Sequence, residues 1–382
     1  KQQATARLGL QISEDSKLTT IINWFQHDAQ EPGGLLRTGN SFTPGALTVN
    51  SFYNPAGSQA RAIAFNSHSE KGNTQIGFNF EKTIDANNKL NIVTYAGQRY
   101  SDGYLAATTG GTNTGRLSKI NRDFYGVDVQ GTNRGQIDGK AYVLTYGVTA
   151  GFMEDLRKDF NMTYTAATGT YATTATNRTE TQKAYNVDQH VQGIYSVAER
   201  WDLHAGVRNS SVRMSIKDRL ASNNGNMSYN EVAPVAGVVF KAMPTLNVYA
   251  NVGKGFETPT LIESTYGSAT SATGTNRDLK PSTSTNIELG TKWMASDNLR
   301  INAAAFDIST DNEIVIAQQA DYTKYGNAGK TKRTGAELSL EHRFTNDLSA
   351  YVAYTYLNAT YDQTYSYPVT SNGNTTTTTV TK

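Results

Sequence analysis

Apolar and polar residues alternate along many segments of this chain, and this period of two constrains its fold more than any other feature. In NTQIGFNFEK, Ile76, Phe78 and Phe80 fall on one side, while polar residues and glycine fall on the other. Successive side chains of a β-strand point to opposite faces of its sheet. The same alternation recurs in STNIELGTKW and GAELSLEHRF. The pattern therefore predicts strands that have one apolar and one polar face.

The length of these strands favours a membrane barrel over a soluble β-sandwich. The predicted strands at 140–155, 182–198 and 229–242 are much longer than the roughly 5–6 residues usual in globular sheets. No segment approaches the ~18 consecutive apolar residues of a transmembrane helix. In an outer-membrane barrel, alternate residues face lipid and the others face a polar lumen. The prediction is an all-β, transmembrane antiparallel β-barrel.

The connections between predicted strands alternate between short and long. Short turns are predicted at 13–16, 84–89, 131–139, 199–202, 242–245, 295–298 and 345–348. Long connections are predicted near 28–71, 102–120, 158–181, 217–227, 255–282 and 310–331. Outer-membrane barrels have short periplasmic turns and long extracellular loops. The alternation predicts fourteen strands with all the long connections on the extracellular side.

Composition and motif spacing exclude several classes of function. The absence of cysteine excludes disulfides, thiolate metal sites and cysteine nucleophiles. The net charge of +2 is spread along the chain, without the basic block that a nucleic-acid partner requires. The five histidines lack zinc-helix spacing and no nucleophile elbow occurs. We expect no catalysis, no cofactor, no bound metal and no nucleic-acid partner.

Two adjacent segments resemble the late-barrel motifs of TonB-dependent outer-membrane receptors. NVYANVGKGFETPTLIES followed by NRDLKPSTSTNIELGTKW resembles a Gly-Phe-x-x-Pro-Thr-x-x-Glu run, then Leu-Lys-Pro and a strand. KRTGAELSLEHRFTNDLSAYVAYTYLNATYD resembles the strand pair that follows. The matching motif positions are Gly255, Phe256, Pro259, Thr260, Glu263, Leu279, Lys280, Pro281, Glu288, Gly335 and Glu337. We expect them to shape the barrel and its rim.

The Glu-Thr-Pro-Thr form of the first motif is similar to the branch that contains ferric dicitrate-type receptors. The chain departs from the family pattern at Ser282, where glutamate is frequent, and at Ser264-Thr265. The resemblance implies a barrel of about 22 strands filled by an N-terminal plug. Residues 1–382 would then be a partial barrel domain. The plug, the TonB-binding segment and about four strands on each side would lie outside this sequence.

The resemblance implies active import of a scarce ligand across the outer membrane of a Gram-negative bacterium. The ligand would be a ferric siderophore or ferric citrate, with TonB as the energy-coupling partner. We also expect contact with outer-membrane lipid and lipopolysaccharide, and a monomeric state. Two alternatives stay open: a receptor for an organic cofactor such as pyrroloquinoline quinone, and a passive porin-type channel. A third, a soluble secreted β-sandwich adhesin, would be soluble without detergent.

Candidate ligand-binding residues are arginines and tyrosines of the predicted loops. Arginine suits anionic chelates and tyrosine suits aromatic rings, and loops on a rigid scaffold commonly carry specificity. The candidates are Arg61, Tyr53, Tyr104, Arg116, Tyr171, Tyr266, Arg277 and Tyr322.

Overall fold

One antiparallel sheet of fourteen strands dominates the computed structural model. The structure describes residues 1–31, 37–38, 41–42, 58–107, 113–220, 224–267, 275–319, 323–371 and 374–381. The large sheet contains, in spatial order, β1 (Gln2–Ser13), β2 (Ser16–Gln30), β5 (His68–Thr83), β6 (Asn88–Ala106), β7 (Thr114–Ile137), β8 (Lys140–Thr165), β9 (Thr170–Ala198), β10 (Trp201–Asp218), β11 (Gly225–Met243), β12 (Leu246–Glu257), β13 (Ser282–Ser296), β14 (Leu299–Asp311), β17 (Lys330–Arg343) and β18 (Ser349–Tyr361). The fourteen predicted strands are confirmed, and each one pairs with its neighbour along the chain.

Shorter elements lie between these strands and after them. They are β3 (Arg37–Thr38), β4 (Ser41–Phe42), α1 (Ser58–Phe65), β15 (Ile314–Gln319), β16 (Thr323–Asn327), β19 (Tyr365–Ser371) and β20 (Asn374–Val380). β3 and β4 pair with each other, and the last four strands form a separate small sheet. Among the described residues, no helix has the length and hydropathy needed to span a membrane.

The predicted turn at 131–139 is wrong in extent. β7 and β8 stay paired as far as Ile137 opposite Lys140, so the turn consists of Asp138 and Gly139. Their φ values of 52° and 74° suit a two-residue hairpin of the Asp-Gly type. The upstream Gly131 is not a turn residue, because it pairs with Tyr146 within the β7–β8 ladder. A Cβ at Gly131 would lie 2.7 Å from the Tyr146 ring. This glycine leaves space for an aromatic ring on the neighbouring strand.

Two of the predicted long loops, 102–120 and 158–181, are mostly strand in their described residues, and β10 and β11 extend into both ends of the third, 217–227. β8 and β9, for example, remain paired up to Thr165 opposite Thr170. These extensions are rich in serine, threonine and asparagine, so their apolar alternation is weak although backbone pairing continues. The predicted connection at 310–331 contains the β15–β16 hairpin. The described part of 255–282 is irregular between β12 and β13.

The two faces of the sheet differ in chemistry, as the alternation predicts. On β8, Leu144, Tyr146 and Val148 share what we call the apolar face and are 36%, 50% and 46% exposed. The opposite polar face carries charged residues such as Asp155 and, on β9, Asp188. Because apolar surface exposed on this scale suits lipid rather than water, the apolar face is the outer face of a membrane barrel.

Charged and aromatic side chains mark the limits of the apolar band. At the loop end of β8 and β9, the first charges on the apolar face are Glu154 and Lys183, which pair at 2.7 Å. Next to them lie the rings of Tyr125, Phe152 and Tyr185, with successive centroids 4.8 and 4.9 Å apart. The β8 segment from 144 to 152 fits the ~9–11 residues with which a tilted strand crosses a bilayer. The part of β8 after Glu154, and the parts of the other strands at the same height, therefore lie outside the membrane-spanning segments.

Two buried hydrophobic clusters lie beyond the loop end of the band. Phe65 of α1 packs with Leu117 and Met162 on the apolar face. Met214, Ile216, Met227, Tyr229 and Leu261 form the second cluster, which joins β10 and β11 to the β12–β13 connection. These clusters fix the parts of the chain that surround the loop end of the barrel.

Candidate functional site

Four charged side chains, three of them buried, form a network on the polar face at the loop end, which we call the rim network. It consists of Arg157 and Asp159 on β8 with Arg178 and Glu180 on β9. Arg157 Nη2 lies 2.8 Å from Asp159 Oδ2, and Arg178 Nε lies 3.6 Å from the same oxygen. Arg178 also pairs closely with Glu180. Residues two apart on a strand share a face, so the sequence spacing brings all four together across two paired strands.

The rim network holds the connection between β12 and β13. Arg157 donates hydrogen bonds to Thr265 Oγ1 at 3.1 Å and to the Tyr266 hydroxyl at 3.3 Å. The guanidinium carbon of Arg178 lies 4.8 Å from the centroid of the Tyr266 ring, within cation–π distance. Thr265 is fully buried and donates to the Leu261 carbonyl at 2.7 Å. Thr265, one of the positions at which the sequence departs from the family pattern, thus contacts the rim network directly.

The Pro-Thr-x-x-Glu motif forms a reciprocal cap at the start of this connection. The Thr260 amide donates to Glu263 Oε2 at 2.7 Å, and the Glu263 amide donates to Thr260 Oγ1 at 3.3 Å. This is the arrangement of a capping box, in which two side chains satisfy each other's backbone amides. Pro259, directly before it, is fully buried. The motif therefore stabilises the tight turn that presents Thr265 and Tyr266.

The Leu-Lys-Pro motif is attached to the connection between β14 and β17. Tyr229 donates to the carbonyl of Leu279 at 3.2 Å, and Leu279 is buried. The Lys280 amide donates to Asn327 Oδ1 at 2.9 Å, and the Asn327 amide group donates back to the Lys280 carbonyl at 2.9 Å. Pro281 directly precedes β13. The two connections therefore restrain one another.

The other motif residues lie on or beside the wall of the sheet. Gly255 and Phe256 pair with β13 at the end of β12. Glu288 accepts a hydrogen bond from the Tyr249 hydroxyl at 2.6 Å. A Cβ at Gly335 would lie 2.4 Å from the Tyr356 carbonyl oxygen, so only glycine fits there. Glu337 is exposed on the polar face.

The electrostatics of the rim network favour cross-linking over ligand capture. Burial raises the pKa of Glu180 above its ordinary value, although Arg178 and Gln182 oppose this effect. Burial disfavours the Arg157 cation, but the adjacent Asp159 carboxylate outweighs burial and holds the pKa of Arg157 above its ordinary value. Two arginines thus face two acids within the network. Its positive charge is already compensated, so its clearest role is to fix the connection to the wall.

The predicted ligand residues are divided between the two faces of the sheet. Tyr266 lies at the rim network, whereas Tyr104 and Tyr171 pack on the apolar face beneath α1. The Tyr171 hydroxyl donates to the Asn66 carbonyl at 2.7 Å, and Tyr104 stacks on His68 with ring centroids 4.3 Å apart. Burial raises the pKa of Tyr171 to about 12. These contacts hold α1 against the sheet and separate both tyrosines from Tyr266.

The remaining candidates are exposed or lie outside the described side chains. Arg116 and Arg277 are exposed. Arg61 belongs to α1, but its side chain is outside the described part, and Tyr53 and Tyr322 lie outside the described residues. No group of three or more histidine or acidic residues within the described ranges could hold a metal ion.

Sequence reasoning missed the rim network because three of its four members lie in 158–181, which reads as a polar loop, and Arg157 directly precedes it. The signal that could have found them is the spacing of Arg157-x-Asp159 and Arg178-x-Glu180. An opposite charge two residues away predicts an ion pair only if the backbone is extended. The pairing of β8 and β9 supplies that condition.

Comparisons with known proteins agree with this architecture. A family model described as "TonB dependent receptor-like, beta-barrel" matches residues 6–381. The chain is 27% identical over 176 residues to the "Probable TonB-dependent siderophore receptor PiuA" of Acinetobacter baumannii. This alignment covers 46% of the chain and 23% of the relative. The chain is 30% identical over 174 residues to the "Probable TonB-dependent receptor BfrD" of Bordetella pertussis. This alignment covers 42% of the chain and 22% of the relative.

Similarity in structure extends over nearly the whole chain. The unliganded ferric citrate transporter FecA superposes with a TM-score of 0.73 at 17% identity, covering 94% of this chain and 51% of that protein. The curated relatives are matched over less than a quarter of their length. The chain spans about half the length of that structural neighbour.

Proposed function

Because the chain belongs to the TonB-dependent receptor β-barrel family, we propose that it forms most of the barrel of an active importer in the outer membrane of a Gram-negative bacterium. The family match over residues 6–381 is the observation that carries this proposal. The apolar face would contact lipid, and the polar face would line the lumen. The extended hairpins and the β12–β13 connection would face the outside, where the ligand is first captured.

The ligand that we propose is a ferric siderophore or ferric citrate. One relative is named as a siderophore receptor and one structural neighbour as a ferric citrate transporter. Such chelates are often anionic, and exposed Arg116 and Arg277 offer charge at the loop end. Tyr266 adds an aromatic ring beside the rim network. An organic cofactor such as pyrroloquinoline quinone stays the alternative ligand for the same kind of receptor.

Energy coupling would come from TonB, through a plug and a binding segment encoded outside these residues. We further propose a monomer that is surrounded by lipid and lipopolysaccharide and catalyses no reaction. A passive porin-type channel is the competing function. The two differ in their need for TonB, since a porin would let its solute pass by diffusion alone.

The test is uptake of iron by cells that depend on the intact protein. Radiolabelled ferric citrate and a panel of ferric siderophores are supplied under iron limitation, with and without functional TonB. The proposal predicts saturable uptake of one chelate, lost at least tenfold without either the receptor or TonB. Uptake that persists without TonB would establish the channel instead.

Substitutions at the exposed arginines test where the chelate is captured. Arg116→Glu and Arg277→Glu should weaken binding of an anionic chelate by about tenfold each, because each replaces attraction by repulsion. Lys330→Glu on the apolar face is the matched control, since it changes the charge equally but faces away from the lumen. Equal losses in all three variants would mean that only the overall charge matters.

A further inference from the structure

The connection between β12 and β13 lies inside the mouth of the barrel, against the polar face of the wall. Leu261 of this connection packs with Met214 and Met227. Met214 is in register with Met153 of β8 through one residue of β9. Met153 directly precedes Glu154, the first charged residue of β8 beyond the apolar band. The connection therefore reaches down, on the inner side, to the height at which the apolar band ends.

Contacts of this connection extend across a large part of the mouth. At one end, the rim network on β8 and β9 holds Thr265. At the other end, the Asn276 side-chain amide donates to the Tyr325 carbonyl of β16 at 2.7 Å. The Asn276 backbone amide donates to the Ser264 carbonyl at 2.9 Å and so joins the two described parts of the connection. A continuous series of contacts therefore links β8 to β16 along the inner side of the wall.

The described parts of the connection, residues 258–267 and 275–281, are well buried for a loop, and we call them the inner shelf. Its buried members are Pro259, Leu261, Ser264, Thr265, Asn276 and Leu279. Segments that open easily have few buried contacts and an exposed backbone. The turn between β8 and β9 at 166–169 has that character, since all four of its residues are exposed. The inner shelf has the opposite character.

Thr265 attaches the inner shelf to the wall in a way that belongs to this chain. Its Oγ1 accepts a hydrogen bond from Arg157 at 3.1 Å and donates to the Leu261 carbonyl at 2.7 Å. Because Thr265 is fully buried, water cannot replace either bond while the shelf stays in place. Thr265 is also one of the positions at which the sequence departs from the family pattern. The attachment therefore follows from this sequence rather than from the family motif.

We infer that the inner shelf is a fixed part of the mouth, which stays attached to the wall while a ligand enters and passes. The inference rests on the proposed function, because only an importer has a ligand to pass. It assigns the ligand path to the part of the mouth that the shelf does not occupy. Any closure of the mouth over the ligand then belongs to other connections. Arg157 and Thr265 are positioning residues that fix one border of the path.

A reversible cross-link between the inner shelf and the wall tests this inference. A Cβ on Gly225, the first residue of β11, would lie 3.0 Å from the Cβ of Thr275. Disulfides have Cβ atoms about 3.5–4.5 Å apart, so a small shift lets Gly225→Cys and Thr275→Cys form one. The 382 residues contain no natural cysteine that would compete. Mass spectrometry of the linked peptide establishes that the bond is complete, and Thr275→Cys alone is the matched control.

Iron uptake by cells that carry the intact receptor is the first readout. The probe is the chelate that the natural receptor takes up from the panel of ferric citrate and ferric siderophores. The oxidised double variant should import it at a rate within twofold of the reduced double variant and of Thr275→Cys. Uptake that is lost on oxidation and restored by a reductant would overturn the inference, because the shelf would then have to move.

Spin-label distances in the purified intact receptor test the inner shelf without any ligand, and they decide if the cysteine pair disturbs import even when reduced. One label replaces Ile262 of the shelf and the other replaces Val232 of the wall, which are 59% and 53% exposed. The spread of this distance should equal that of a wall pair, Ile76 with Val232. It should be narrower than the spread from Ala167 in the exposed β8–β9 turn.

A spread as broad as that of Ala167, or a second distance that appears with ferric chelate, would overturn the inference. If the natural receptor imports no chelate, the proposed function fails, while the spin-label distances still report on the inner shelf. Either proposal can therefore fail alone.

Discussion

Replacement of Arg157 should release the β12–β13 connection from the barrel wall. This arginine donates to Thr265 at 3.1 Å and to Tyr266 at 3.3 Å, and its side chain is 7% exposed. Hydrogen bonds that involve a charged group contribute about 1.5–3 kcal/mol each. Arg157→Met removes two such bonds, while the cation–π contact between Tyr266 and Arg178 remains. We expect the connection to lose roughly 3 kcal/mol of local stability, because the lower end of that range applies to bonds longer than 3 Å.

The assay is amide hydrogen exchange of residues 258–267 in the intact receptor. At 1.4 kcal/mol per tenfold change, a loss of about 3 kcal/mol corresponds to exchange roughly 100-fold faster. The wall should stay intact, because Asp159 keeps its contact with Arg178 and accepts a hydrogen bond from Ser118 at 2.7 Å. Arg208→Met is the matched control, since Arg208 pairs with Asp188 on the same face and is 55% exposed.

Unchanged exchange of residues 258–267 in Arg157→Met would refute this reasoning. It would mean that the capping box and the buried apolar residues hold the connection without the rim network. Arg157→Lys provides a graded test, because one ammonium group keeps the charge near Asp159 but cannot make the same forked contacts. Its exchange rate should fall between those of the natural sequence and Arg157→Met.

Three further predictions follow from local geometry. Thr260→Ala and Glu263→Ala should each lower the local stability of the β12–β13 connection by about 1 kcal/mol. Because the two hydrogen bonds are reciprocal, amide exchange of this connection in the double variant should be slower than the two losses added together would imply. Gly335→Ala should lower the melting temperature because its Cβ would meet a backbone oxygen at 2.4 Å, whereas Gly103→Ala, with nothing within 4 Å, should not. Burial opposes ionisation of Glu313, but hydrogen bonds from an arginine and a threonine outweigh it and lower its pKa below 4.5. The stabilisation that Glu313 provides is therefore complete above pH 4.5 and is lost as the pH falls through the lowered pKa. Proteolysis of the connection between β14 and β17, measured from pH 6 to pH 3, should show this loss in the natural sequence but not in Glu313→Gln.

The sequence by itself determined the large-scale architecture. Apolar residues at every second position over long segments fit only β-strands that have two different faces. The alternation of short and long connections fits only an antiparallel sheet in which strands adjacent in sequence are adjacent in space. Both inferences are local, because they need only the geometry of a single strand and the length of the connection after it. The capping box of Thr260 and Glu263 was not predicted, although its spacing lies within four residues and could have indicated it.

Only the tertiary structure decided where the strands end and which loop residues meet. Gly131 reads as a turn residue until the ring of Tyr146 on the next strand explains the missing side chain. Arg157 and Tyr266 are 109 residues apart in sequence, and no spacing rule joins them. The same holds for Tyr171, which looks like a ligand residue but packs beneath α1. Such contacts depend on the register of paired strands and on the paths of the connections, which arise when the whole sheet assembles.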